Sequence, residues 1–337
     1  MSQDLRSEAD PTGRGNGVPA PASVDATTPH VERDASRLRA PADVRELTAL
    51  RKLGRPSPAR MIGHLAVIGV VYAAVTAVAL VVDRWWAWIP AWAVMSFLLL
   101  SWGAVLHEGT HANLTGRTGV DQVLAFLGGW LAFLPAAAYR PYHLVHHATT
   151  MSEDDPSGAN AKPFKHRREY LLVMALAGPG FTLQMWGIAL KTLVGRPPAY
   201  ISARQVPRMR LETSIGLALY AVVAVAAPLL GVGWLVLAVW VIPAILALCV
   251  VSPYILIPEH YDARMDAPIL ESTATVRSNR VLSFVYLNNN HHTAHHLVSS
   301  CNPLELGQIT DLIEDRVELR YDSYTDFHRA VFRDLRW

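Results

Sequence analysis

Eight histidines fall into three short clusters. HEGTH carries His107 and His111, HLVHH carries His143, His146 and His147, and HTAHH carries His292, His295 and His296. A ninth, His260, sits in PEHYD. Core packing does not call for imidazole, but metal binding does. Neutral imidazole nitrogen suits zinc, copper, iron and nickel, whereas magnesium and calcium prefer oxygen. Residues i and i+4, or i, i+3 and i+4, share one face of a helix, so each cluster aims its rings to one side. Eight or nine donors exceed the four to six that one such metal takes, so two metals are the natural count. His291 is off the spacing and is expected to point away or to make only an outer contact. His30, His64, His166 and His328 are isolated and read as ordinary satisfied polar groups.

Metal-bound histidines usually donate their second ring N–H to a carboxylate or carbonyl. Glu108, Asp154, Asp155 and Glu259 lie within or beside the clusters, and Asn288, Asn289 and Asn290 precede the third. Glu108, Asp155, Glu259 and Asn289 are the expected outer partners. No catalytic group beyond the metal ligands is expected.

Elements must position these residues, and the composition says where. Hydrophobic residues make up 51% of the 337-residue chain and charged residues 17%. A net charge of +2 is too mild to suggest nucleic-acid binding. Two cysteines imply neither a disulfide framework nor a cysteine zinc site. Residues 1–40 are polar and rich in Pro, Gly and Ala, and are expected to be a disordered tail without a secretory signal. Residues 41–337 form the expected membrane-bound domain. At its start, Val44, Leu47, Leu50 and Leu53 have the spacing of an amphipathic helix lying on a membrane surface.

Crossing the hydrocarbon takes about 20 apolar residues as a helix. Uncharged stretches of that length give four spans, at about 61–82, 85–106, 213–231 and 234–258, with Gly231-Val232-Gly233 as a turn. Trp85, Trp86, Trp88 and Trp234 stand at their ends, as an interfacial aromatic belt does. Two further apolar stretches, 122–139 and 170–190, are broken by Gly128-Gly129 and Gly178-Pro179-Gly180. Basic residues flank the 170–190 stretch on both sides, so the positive-inside bias makes it, and 122–139 with it, interfacial or re-entrant. The expected fold is therefore an all-α integral membrane protein, with two transmembrane hairpins and both termini in the cytoplasm. All three clusters then fall on the cytoplasmic side. A metal transporter would place its ligands near the bilayer midplane on the spans, whereas here only His64 lies inside a span at all.

At these residues the chain resembles the membrane-bound fatty acid desaturase and hydroxylase superfamily. HEGTH, HLVHH with the Thr- and Asp-containing turn after it, PEHYD and NNNHHTAHHL carry the resemblance, over roughly residues 45–330. It implies four spans beneath a cytoplasmic helical cap. It also implies a di-iron centre held by His107, His111, His143, His146, His147, His260, His292, His295 and His296. The Glu-His-Tyr around His260 is similar to an extra ligand site of sphingolipid desaturases and alkane hydroxylases. The implied activity is O₂-dependent, two-electron desaturation of a fatty acyl lipid or acyl thioester, fed by ferredoxin or a similar donor. The alternative is a hydroxylase, or another di-iron oxidase, of a carotenoid, an alkane or a free fatty acid, including decarboxylation to a terminal alkene.

Overall fold

The computed structural model describes residues 47–52, 54–157 and 163–337. The expected tail at 1–40, together with Val44 and Leu53, lies outside the described residues. The chain is mostly helical with little sheet.

Helix α1, Pro58–Val82, starts where Ser57 caps the Arg60 amide and Pro58 fills the first turn. It ends at Asp83, whose left-handed φ of 47° breaks the run and redirects the chain. After a short 3₁₀ turn comes α2, Trp88–Thr110. Trp85 and Trp86 are exposed at this junction, as aromatic anchors at a membrane surface would be. Helices α3, Thr118–Leu131, and α4, Ala136–Thr149, meet at a bend of 110°. Two long helices follow, α5 at Arg167–Leu193 and α6 at Val206–Leu229. The helical run α7, Gly233–Glu259, completes the apolar set. Between α6 and α7 the chain turns at Gly231 with φ +70°, a value suited to glycine.

Among the described residues, five helical segments are long and apolar enough to cross a membrane, and the bent pair would make six. Four match the expected spans to within a few residues at most ends. The fifth is α5, which contains the stretch read from sequence as interfacial or re-entrant. Gly178-Pro179-Gly180 does not break it. A Cβ on Gly178 would fall 1.9 Å from the Leu248 carbonyl oxygen. The glycine there is a close-packing site against α7 rather than a helix stop. The α3–α4 stretch is bent, but at residues 132–135 rather than at Gly128-Gly129, which lie within α3. Gly128 lets α3 lie against α2, since a Cβ there would come 2.4 Å from the Trp102 carbonyl oxygen.

Helix α7 contains two π-helical turns, Leu237–Val241 and Ala247–Val251, each followed by a proline, Pro243 and Pro253. Proline has no N–H to give to the carbonyl four residues back. For Pro243 that carbonyl belongs to Val239, and the Tyr72 hydroxyl donates to it at 2.5 Å. Trp92 Nε1 donates to the neighbouring Ala238 carbonyl at 2.8 Å. Side chains of α1 and α2 thus satisfy the backbone groups that the widened helix frees, which an apolar surrounding demands.

The C-terminal residues form a small cap. It holds α8 (Arg280–Val285), α9 (His292–Leu297), α10 (Leu306–Ile313) and α11 (Tyr324–Asp334). Two short parallel strands, β1 (Ala274–Val276) and β2 (Leu319–Tyr321), pair within it, a small departure from all-α. Residues 47–52 are helical, with Leu47 and Leu50 turned into the protein. Leu47 and Leu50 are buried against Leu297, Val298, Cys301 and Ile309. Burying a leucine contributes about 1.5–3 kcal/mol, so this segment ties the start of the domain to the cap beside the third histidine cluster.

Candidate metal centre

The histidines come from four chain segments that end at one place. His107 lies in the last turn of α2, and His111 caps that helix. Ala112, at φ 56°, then turns the chain away. His143, His146 and His147 lie on α4, His260 just past α7, and His292, His295 and His296 on α9.

They form two groups. His107, His111, His143, His147 and His295 have ring nitrogens all within 4.8 Å of one another, and His146, His260, His292 and His296 do likewise. The split follows helix geometry. Successive residues on a helix are about 100° apart, so i and i+4 nearly superimpose while i+3 stands to the other side of i. Three i,i+4 pairs, 107/111, 143/147 and 292/296, each stay within one group. The i+3 residues diverge: His146 leaves its cluster for the four-membered group, and His295 leaves its own for the five-membered one. Each triple cluster therefore spans both groups. His147 and His296 stack at 3.9 Å between ring centroids where the groups abut.

Within each group the Nε2 atoms face each other. His107 and His295 are 2.8 Å apart, His111 and His143 2.9 Å, His147 and His295 3.1 Å, and His260 and His292 3.0 Å. Donors about 2.1 Å from one metal lie about 3 to 4.2 Å apart, so these spacings are close to those of a shared cation. Several Nδ1 atoms are held from behind. His146 Nδ1 lies 3.0 Å from both Asp155 oxygens and 2.7 Å from Ser157 Oγ. His260 Nδ1 lies 3.2 Å from the Ser272 carbonyl oxygen, and His296 Nδ1 3.2 Å from Thr150 Oγ1. His295 Nδ1 is close to Glu108 Oε1, at 3.1 Å, but makes no hydrogen bond to it, while Glu108 Oε2 accepts from Asn113 at 2.5 Å. Rings held at Nδ1 turn Nε2 inward.

Burial sets the protonation. It pushes His292 and His296 well below the usual imidazole range, and neighbouring histidines push further. His260 is lowered by burial first and then by His146. Neutral rings present lone pairs at neutral pH. His296 Nε2 is buried and has no hydrogen-bond partner. An orphaned nitrogen among converging imidazoles is what a metal site needs, so the donor set fits one metal in each group.

Asp155 is the best-anchored outer carboxylate. Burial alone would raise its pKa. The hydrogen bond and charge of His146, with the Ser157 and Met151 amides, outweigh that and hold it low. Asp155→Asn is expected to weaken metal binding by about 10–100-fold, read as faster metal loss to a chelator.

The three asparagines serve the loop. Their side-chain amides donate to backbone carbonyls: Asn288 to Pro303, Asn289 to Tyr286 and Asn290 to Val276. Asn288 adopts a left-handed φ of 54°. The Asn289 amide is thus engaged in the turn that aims α9, while its Oδ1 is buried without a partner. His291 joins neither group and lies against Gly307 in the cap. His328 bonds Tyr170 and the Tyr254 carbonyl, as a satisfied polar group does, whereas His64 bonds Ser101 at 2.7 Å through Nε2 and buries Nδ1 without a partner.

Tyr139 stacks on His143 at 5.1 Å. Trp130 lines a cleft with Phe126, Leu134, Trp186, Gly216 and Tyr220 between the α3–α4 bend and α6. Tyr142 is buried, its hydroxyl donating to the Pro156 carbonyl. Trp186 and Tyr220 were not singled out by sequence, because nothing in an apolar helix marks which aromatic faces a cleft.

No curated protein matches the chain. The family model for fatty acid desaturases matches residues 83–328, a stretch that contains all nine converging histidines. The chain belongs to the fatty acid desaturase family.

Proposed function

We propose that the protein is a membrane-bound di-iron oxidase that uses O₂ and two electrons to desaturate a fatty acyl chain. The observation that carries this reading is the sorting of nine histidines into adjacent groups of five and four within a desaturase-family domain. His107, His111, His143, His147 and His295 would hold one iron, and His146, His260, His292 and His296 the other. Reduced iron supplies O₂ activation strong enough to take hydrogen from an unactivated C–H bond.

The protein's own part is positional. Burial of the histidines keeps water from the reacting carbon, and α2, α4 and α9 fix the rings before substrate arrives. Long apolar helices bring the site to a membrane, the source of an acyl lipid or an acyl thioester. With α5 lying along the interface, as its basic flanks on both sides argue, both termini and the site face the cytoplasm, which also suits a soluble donor such as ferredoxin.

The test is expression with a ferredoxin system, followed by mass spectrometry of the membrane lipids. Loss of two hydrogens from an acyl chain is the expected result. Gain of one oxygen would replace desaturation with hydroxylation. No lipid change and no oxygen consumption by iron-loaded protein would contradict an oxidase of either kind.

A further inference from the structure

The carboxylates beside the histidines do not all stand on the same side of the rings. Asp155 meets His146 at Nδ1, and Glu108 approaches His295 at Nδ1. Both lie behind a ring whose Nε2 is turned inward. Glu259 stands in front. Its Oε2 lies 3.7 Å from His292 Nε2, the atom that faces His260 Nε2 at 3.0 Å. That is the side on which the four-histidine group converges.

The carboxylate is aimed there by two features. Glu259 is the last residue of α7 and immediately precedes His260, so one helix end delivers both. The Tyr286 hydroxyl, in a buried residue, donates to Glu259 Oε1 at 2.7 Å and leaves Oε2 toward His292. A separation of 3.7 Å falls within the range of about 3 to 4.2 Å expected for two donors on one metal. Glu259 is outside the set lying mutually within 4.8 Å, so its side chain must swing toward the histidines to ligate.

Donor count and charge point the same way. One group has five imidazoles and the other four. Neutral imidazoles bring no negative charge, and buried cations need compensation. An anionic oxygen at the four-membered group supplies both a fifth donor and a charge.

We propose that Glu259 is the oxygen donor that completes the four-histidine metal site, with Tyr286 as the positioning residue that aims it. The inference rests on the two-metal reading above.

The test uses the full chain in detergent, loaded anaerobically with isotope-enriched ferrous iron. Iron retained against a chelator and the Mössbauer spectrum are both read. Wild type is expected to show two distinct iron environments. In Glu259→Gln, one environment should change and lose iron at least about 10-fold more readily, while the other is unmoved. Tyr286→Phe keeps the carboxylate and should shift the same environment by less. It serves if the glutamine variant does not fold. Wild-type retention and spectra in either folded variant, or equal shifts at both irons, would overturn the assignment while leaving the two-metal reading intact. Wild-type protein that holds no iron would overturn both.

Discussion

Alanine at His295 is expected to abolish turnover and to empty the five-histidine site. His295 is fully buried, and its Nε2 lies within 3.1 Å of both His107 and His147. Its Nδ1 faces Glu108, which is also fully buried. Removing the ring deletes one donor, unlinks rings from the first and second clusters, and leaves Glu108 facing a void. Loss of an outer partner alone costs about 10–100-fold in metal affinity, so loss of this donor should exceed about 100-fold. The matched control is His291→Ala, four residues earlier. His291 faces Gly307 rather than the metal groups, and that variant should keep its iron and its activity. Iron content and oxygen uptake, measured on both variants, check the pair. Equal losses in the two would mean that density of histidine, and not the sorting of rings, is what the chain requires.

Gly178→Ala should unfold or mispack the membrane domain without touching any histidine. The new Cβ would sit 1.9 Å from the Leu248 carbonyl oxygen. That neighbour is backbone, so no side-chain rotation relieves the clash, and α5 and α7 must separate. Forced separation of packed elements costs about 1–3 kcal/mol and occasionally more, and a contact this close belongs at the upper end. Because α7 ends at Glu259 and His260, the displacement should also reach the four-histidine group. Thermal unfolding in detergent checks it, with a clear drop in Tm expected. Gly180 makes the contrast, since a Cβ there meets nothing within 4 Å, and Gly180→Ala should leave Tm near wild type.

How much of this was legible in sequence differs by element. The three clusters, and His260 beyond them, could be read because their spacing follows the helical repeat and because imidazole is scarce elsewhere. The sorting could not. His143, His146 and His147 looked like one face aimed at one site, yet the 100° between His146 and His147 sends them to different groups. That depends on where α9 and His260 stand, which spacing along one helix does not encode. Long apolar helices were legible from the uncharged runs. The continuity of α5 was not legible, because Gly-Pro-Gly is a break in a solvated helix but a packing site between apolar ones, and only the Leu248 carbonyl distinguishes the two. Leu47 and Leu50 were misread for a similar reason. An apolar stripe says that it must be covered, not whether lipid or a cap covers it. Glu259 and Asp155 were both nominated as outer partners. The side of the ring each approaches is visible only in three dimensions.

The central claim is that the chain holds two irons, one in each histidine group. Its most direct measurement is the metal content of purified protein, by elemental analysis, after anaerobic loading with ferrous iron and removal of the excess. About two irons per chain are expected, falling to about one in His295→Ala. One zinc per chain with no iron, or a stoichiometry unchanged by loss of His295, would contradict the account.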